Sequence, residues 1–339
     1  MSNVFSHLAS AALSDQGRKR KNNEDAYALF PESGVFCVAD GMGGAEDGEV
    51  ASQAVVEGLA SRLGELATQG RPIEGCSMQA RIARTLNEVS SWIHARSEER
   101  GTRGTGTTFV GVCFDPAHPE TAMALHAGDS RLYLLRKRLF TQITQDHSAA
   151  ALAGVKDEKD LNPMFRGIVM RAVGVKETVE VERTPFGIAE GDQLLLCSDG
   201  LTRMVKDGEI GKILRKAKTP EVAVRELVNR ANQNGGVDNV TVVVIHVGTL
   251  PPAAACLTLA PDETCPDQDK DSERVTGEVT PTQEDTGATT PTTPGSCDLL
   301  PFELPTPTHT PTPTPPPDPK TPETMSGKKE APLPKTPKR

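Results

Sequence analysis

The chain has 339 residues and a formal net charge of −9, from 46 acidic and 37 basic side chains, and residues 250–339 carry −6 of it, with 14 acidic against 8 basic. This acidity, with no basic–aromatic array to oppose it, argues against nucleic-acid binding. Seven cysteines occur without a repeated CxxC arrangement, and Cys37 and Cys197 sit in apolar strand-like runs, so reduced, buried thiols are the ordinary reading.

Ala26–Leu29 and Val35–Ala39 are short and apolar, with Pro31, Ser33 and Gly34 between them, and predict two neighbouring strands joined by a turn. From about Gly48 to Leu66 the apolar period lengthens. Val50, Ala54, Val55, Leu59, Leu63 and Leu66 form one helical face, and Met78, Ile82, Leu86, Val89 and Ile93 form a second. Thr107–Phe114, Thr121–His126 and Arg131–Leu135 predict three further strands, broken at Asp115-Pro116 and Gly128-Asp129. Gln193–Cys197 and Val240–His246 predict two more, with a helix over Pro220–Ala231 between them. Strands clustered around helical pairs favour a layered α+β domain over alternating βαβ units.

Composition shifts after residue 249. Residues 1–249 form one expected folded domain, while 250–339 contain PTTP at 291–294 and TPTHTPTPTPPPDP at 306–319. That segment has too little apolar surface to offset the entropy of ordering, so a disordered, acidic Pro/Thr-rich tail is expected, serving as a spacer, a ligand for a polyproline-recognising partner or a set of Thr-Pro phosphorylation sites. No apolar signal core opens the sequence given, and no apolar run is long enough to span a bilayer, which fits a cytoplasmic enzyme without integral membrane association.

Five segments set an aspartate against a glycine, a turn or the end of an apolar run: NNED at 22–25, VADGMGG at 38–44, HAGDSR at 126–131, CSDGL at 197–201 and GGVDN at 235–239. If the strand ends meet at one rim, these carboxylates converge, and crowded carboxylates call for divalent cations to neutralise them.

The ordered set SDQGRKRKNNED, ADGMGG, GTT, GDSRLY, QDHS, RAVG, CSDGL and DNVTVVV resembles the metal-dependent PPM/PP2C serine/threonine phosphatase family, particularly its compact bacterial members, over roughly residues 8–247. The resemblance implies a four-layer α-β-β-α sandwich with two central antiparallel β-sheets. It also implies two central Mn²⁺ or Mg²⁺ ions, with Asp40 bridging them, the Gly41 carbonyl helping to coordinate the second, and Asp199 and Asp238 completing the first. Asp129 matches the ligand of a conditional third ion that shares Asp199, while Glu24 and Asp25 act mainly as supporting groups beside the ions. Arg20 would hold the phosphoryl oxygens with its guanidinium fork. The implied catalytic set is Arg20, Asp40, Asp199 and Asp238.

The implied reaction is hydrolysis of phosphoserine and phosphothreonine monoesters by direct attack of activated water, within signal transduction and opposite a cognate serine/threonine kinase. The alternatives are a phosphatase of small phosphate monoesters and a catalytically silent metal-binding regulator. Some relatives place a histidine after the Asp-Gly pair, where this chain has Met42. His147 is expected to pack or hydrogen-bond in a loop, and Thr107 and Thr108 to hold a strand end. The interval through NPMFRGIVMRAVG is compact compared with the longer flap of bacterial relatives, which bears on substrate choice more than on activity class.

Overall fold

The computed structural model describes residues 4–69, 77–102, 104–155, 161–165 and 167–251. All lie within Met1–Gly295, one of two units into which the chain divides. The expected tail falls outside the described residues apart from 250 and 251, as do 156–160 and 166 of the flap interval.

Two antiparallel sheets form the centre. The first, in spatial order, contains β1 (Leu8–Asp15), β11 (Val240–Val247), β10 (Gln193–Cys197), β7 (Arg131–Arg136) and β8 (Leu139–Gln142). The second contains β2 (Asp25–Phe30), β3 (Val35–Met42), β5 (Phe109–Phe114), β6 (Thr121–Ala127) and β9 (Glu182–Gly187), with the two-residue β4 (Gly106–Thr107) paired to the end of β3. Strand alternation builds the layers. Leu194, Leu196, Val243 and Ile245 point between the sheets to meet Phe36, Val38, Val110 and Val112. Their chain neighbours Leu195, Cys197, Val242 and Val244 face the other way, onto a helical layer of α4 (Asp199–Met204), α5 (Asp207–Lys216) and α6 (Pro220–Gln233). On the far side α1 (Ala45–Gln69) and α2 (Met78–Arg100) cover the second sheet, burying Ala51, Val55, Leu59, Leu86 and Val89. The result is the expected α-β-β-α sandwich. Each fully buried leucine or valine here stabilises the fold by about 1.5–3 kcal/mol relative to exposure.

Helix ends follow local chemistry. Ser77 caps α2 by accepting from the Ala80 amide, and Gly101, at φ 68°, closes it by donating to the Ser97 and Glu98 carbonyls. Thr219 caps α6 ahead of Pro220, which already has the φ a first turn needs. A short helix, α3 (Ala149–Leu152), follows the QDHS segment.

Several elements depart from the expected pattern. Leu8–Asp15 becomes a strand although it is rich in alanine and serine, because it pairs residue for residue with β11 from Val247 to Val240. The strand expected over 107–114 is divided at Thr108, whose amide donates to the Asp40 carbonyl. Glu182–Gly187 is an edge strand, which tolerates Pro185. Asp199 opens a helix rather than merely ending a strand.

Candidate active site

Strand direction explains why the acidic segments meet. β2 starts at Asp25 opposite Asp40 near the end of β3, and β5 starts beside Ala127, the end of β6, just before Asp129. In the other sheet the end of β10 lies against the start of β11, placing Asp199 and Asp238 together. The two sheets join at this rim through Ser198, whose hydroxyl donates to Asp25 Oδ2 at 2.8 Å and accepts from the Thr241 amide at 3.0 Å. Ser198 precedes α4 yet makes no side-chain cap to it, because its hydroxyl is committed to the inter-sheet contact.

Glycine permits the closest approaches. A side chain at Gly200 would place Cβ 1.8 Å from the Asn239 carbonyl oxygen, and one at Gly41 would meet the Gly48 and Glu24 carbonyl oxygens at 2.2 and 2.5 Å. These contacts hold the Asp199 turn against Asp238 and the Asp40 turn against Glu24.

A cleft of about 540 Å³ opens over the rim, lined by Arg20, Glu24, Asp40, Gly41, Asp129, Asp199 and Asp238 among others. Thus seven of the eight sequence-predicted site residues reach it. Asp25 is the exception: it lies behind the lining, bonded to Ser198. Arg20 is bidentate on Asp238, with Nε 2.8 Å from Oδ1 and Nη2 3.0 Å from Oδ2. Arg131 does not take Asp129. Its Nε and Nη2 grip Asp146 at 2.9 and 2.6 Å.

The carboxylates strain against one another. Burial, then Asp25, Asp199, Asp129 and Asp238, raise the Asp40 carboxyl well above its usual range. Burial pushes Asp199 up to about 8, opposed by Arg203 and reinforced by Asp129, Asp238 and Asp25. Asp25 rises to about 6 through burial, although hydrogen bonds with Thr241 and Ser198 pull it down. Asp129 is also raised, chiefly by burial, with Arg203 the leading opposing influence. Divalent cations relieve such a cluster, and an all-oxygen donor set with room for water suits Mn²⁺ or Mg²⁺.

His126, His147 and Glu182 form another close group of metal-ligand types. His147 Nε2 is 3.0 Å from Glu182, but Arg171 Nη1 lies 3.3 Å from the same nitrogen and 3.8 Å from Glu182, so a guanidinium already supplies the positive charge there. His147 holds the Asp129 turn instead: its amide donates to the Gly128 carbonyl and its Nδ1 accepts from the Gly128 amide.

Two further residues of the site lie among these acids: Asn239, the last residue of GGVDN, and Arg203, which no motif contains. Asn239 stitches the Arg20 loop to the Asp238 loop: its Oδ1 accepts from the Glu24 amide, and its Nδ2 donates to the Gln16 and Asn22 carbonyls. Arg203 lines the cleft with Nη2 2.7 Å from Asp199 and Nη1 3.3 Å from Asp238. Its signal in the sequence is the four-residue spacing from Asp199, which becomes informative once 199–204 is known to be helical.

Residues 16–239 match the family model described as Protein phosphatase 2C. The serine/threonine phosphatase stp of Listeria monocytogenes serotype 4b is 34% identical over 240 residues, covering 68% of this chain and 93% of that protein. PstP of Mycobacterium tuberculosis, a serine/threonine protein phosphatase, is 38% identical over 256 residues, covering 73% of this chain and 46% of PstP. A solved PstP catalytic domain, in complex with 2 manganese ions, superposes with a TM-score of 0.60 at 36% identity, over 71% of this chain and 98% of that one. With its sandwich, acidic rim and matched length taken together, the chain belongs to the protein phosphatase 2C family.

Proposed function

We infer that the chain is a metal-dependent serine/threonine protein phosphatase that hydrolyses phosphoserine and phosphothreonine monoesters. The observation that carries this reading is the convergence of Asp40, Asp129, Asp199 and Asp238 on one cleft with Arg20 at its edge. Asp40, Asp199, Asp238 and the Gly41 carbonyl would hold two Mn²⁺ or Mg²⁺ ions, with Glu24 and Asp25 supporting them and Asp129 serving a conditional third. What the bound ions contribute is activation of the attacking water and neutralisation of the transferring phosphoryl group.

The rest falls to side chains. Arg20 is poised to exchange Asp238 for two non-bridging phosphoryl oxygens, a planar bidentate match. No covalent intermediate is needed. Burial pushes the Cys197 thiol up to about 12, and Ser130 is hydrogen-bonded to Thr108, which in turn accepts from the Asp40 amide. Met42 lines the cleft but carries no transferable proton, and His147 is committed to Gly128 and Glu182, so water supplies the leaving-group proton.

The domain reading extends this: residues 1–249 catalyse, and 250–339 form an acidic tail that binds a polyproline-recognising partner or spaces the domain from one. Among the described residues no helix is long and apolar enough to cross a membrane. The same reading sets the chain in signal transduction, opposite a serine/threonine kinase.

The test is Mn²⁺-dependent phosphate release from a phosphothreonine peptide, with folded Asp199→Asn as control. Wild-type release lost in the variant is expected. No wild-type turnover in Mn²⁺ or Mg²⁺ would instead indicate a silent regulator, and turnover of small phosphate monoesters alone would indicate a metabolite phosphatase. Deleting 250–339 should leave peptide hydrolysis intact.

A further inference from the structure

Two guanidiniums converge on one carboxylate. Arg20 takes both oxygens of Asp238, and Arg203 reaches the same Oδ2 at 3.3 Å while its Nη2 takes Asp199 at 2.7 Å. Arg203 stands one helical turn after Asp199 in α4, so the geometry that sends Asp199 into the cleft sends Arg203 there too. Gly167 also lines the cleft, and an added Cβ there would sit 3.9 Å from Arg203 Nη2.

A structural ion pair does not account for this placement. Arg203 is 37% exposed, where a salt bridge contributes little, and α4 is already anchored by the fully buried Leu201. Charge balance points elsewhere. Cations held by Asp199 and Asp238 would compete with both guanidiniums for the carboxylate lone pairs, and an anion entering the cleft would meet Arg20 and Arg203 together. The entering anion of a phosphatase is the phosphoryl group, whose non-bridging oxygens accept from a guanidinium as a carboxylate does.

We propose that Arg203 is a second phosphoryl-binding arginine, which forms with Arg20 a two-guanidinium clamp on the phosphoryl group. The proposal rests on the phosphatase reading for the identity of the anion, but its test does not require turnover.

The full chain, saturated with Mn²⁺, is titrated calorimetrically with inorganic phosphate, alongside Arg203→Ala, Arg203→Lys, Arg203→Gln and the remote surface control Arg84→Ala. Arg203→Ala and Arg203→Gln are expected to weaken phosphate binding by about ten- to a hundredfold, as loss of a charge-assisted pair predicts, with Arg203→Lys between them and wild type. Arg84→Ala should match wild type. Free Mn²⁺, followed by electron paramagnetic resonance, should show unchanged stoichiometry. Phosphate affinity within about twofold of wild type in folded Arg203→Ala or Arg203→Gln would overturn the clamp, and an altered Mn²⁺ affinity alone would make Arg203 only a neutraliser of the acidic rim. If wild type binds phosphate through Arg203 yet releases none from phosphopeptides, the phosphatase reading fails while the anion site stands.

Discussion

The exchange Asp199→Asn removes one negative charge from the carboxylate rim with almost no change in volume. Without metal, burial and the neighbouring acids push this carboxyl up to about 8 from its ordinary 3.8, despite Arg203. At neutral pH the folded protein therefore keeps a proton that the unfolded chain releases. The fold is unpenalised below the unfolded value and loses stability as pH rises from 3.8 through about 8. At pH 7 the penalty has a ceiling of roughly 4 kcal/mol, from the interval between 3.8 and 7 at about 1.36 kcal/mol per pH unit. Asparagine escapes it, with Arg203 already counted in the value of about 8, and part of the relief is already taken up by neighbouring acids that share the protons. A net gain of roughly 2 kcal/mol is expected in chelator at pH 7, or about 4–8 °C in Tm for a domain of this size.

Thermal melts in EDTA at pH 5 and 7.5 would measure it, with the gap between variant and wild type wider at the higher pH. Adding Mn²⁺ should reverse the order, because binding selects the folded state of wild type more strongly than that of the variant. Phosphopeptide turnover should be lost in the same variant. A variant that melts below wild type in chelator at both pH values would refute carboxylate crowding as the dominant electrostatic feature of the rim. Retained turnover would refute the central role of Asp199.

Gly200→Ala should disturb the site without touching a charge. Its Cβ would press within 1.8 Å of the Asn239 carbonyl, so weakened Mn²⁺ binding and a loss of about 1–3 kcal/mol in urea unfolding are expected. Asn239→Ala removes three hydrogen bonds and leaves the Glu24 amide without its acceptor, which should cost about 2–4 kcal/mol and loosen the Arg20 loop, seen as faster amide exchange over residues 16–24. Cys37, Cys113 and Cys197, with thiols pushed up to about 12 by burial, should resist iodoacetamide until the domain unfolds, as mass mapping of alkylated peptides would reveal.

The fold was most legible where period and burial agree. Gln193–Cys197 matches its strand at both ends, and the two long helices appear where the apolar period lengthens. Leu8–Asp15 was opaque for a physical reason. Its alanines and serines have little strand preference of their own, and only the length of the pairing with β11 makes it a strand. The helix at 207–216 has a regular apolar face in Ile210, Ile213 and Leu214, but it follows the Asp199 turn so closely that its start is set by packing on the first sheet rather than by a capping side chain.

The site was legible as a set of acids and much less as a balance of charge. Aspartates beside glycines declare themselves because tight turns and anionic ligands need those residue types together. A cation that answers them carries no such mark. Arg203 is an ordinary helix residue until Asp199 is known to begin that helix, and Asn239 looks like part of a turn until the Glu24 amide is found 2.9 Å from its Oδ1. Five acidic segments therefore identify where cations belong. Where the phosphoryl group sits depends on the two arginines that share Asp238, and only one of them lies in a motif.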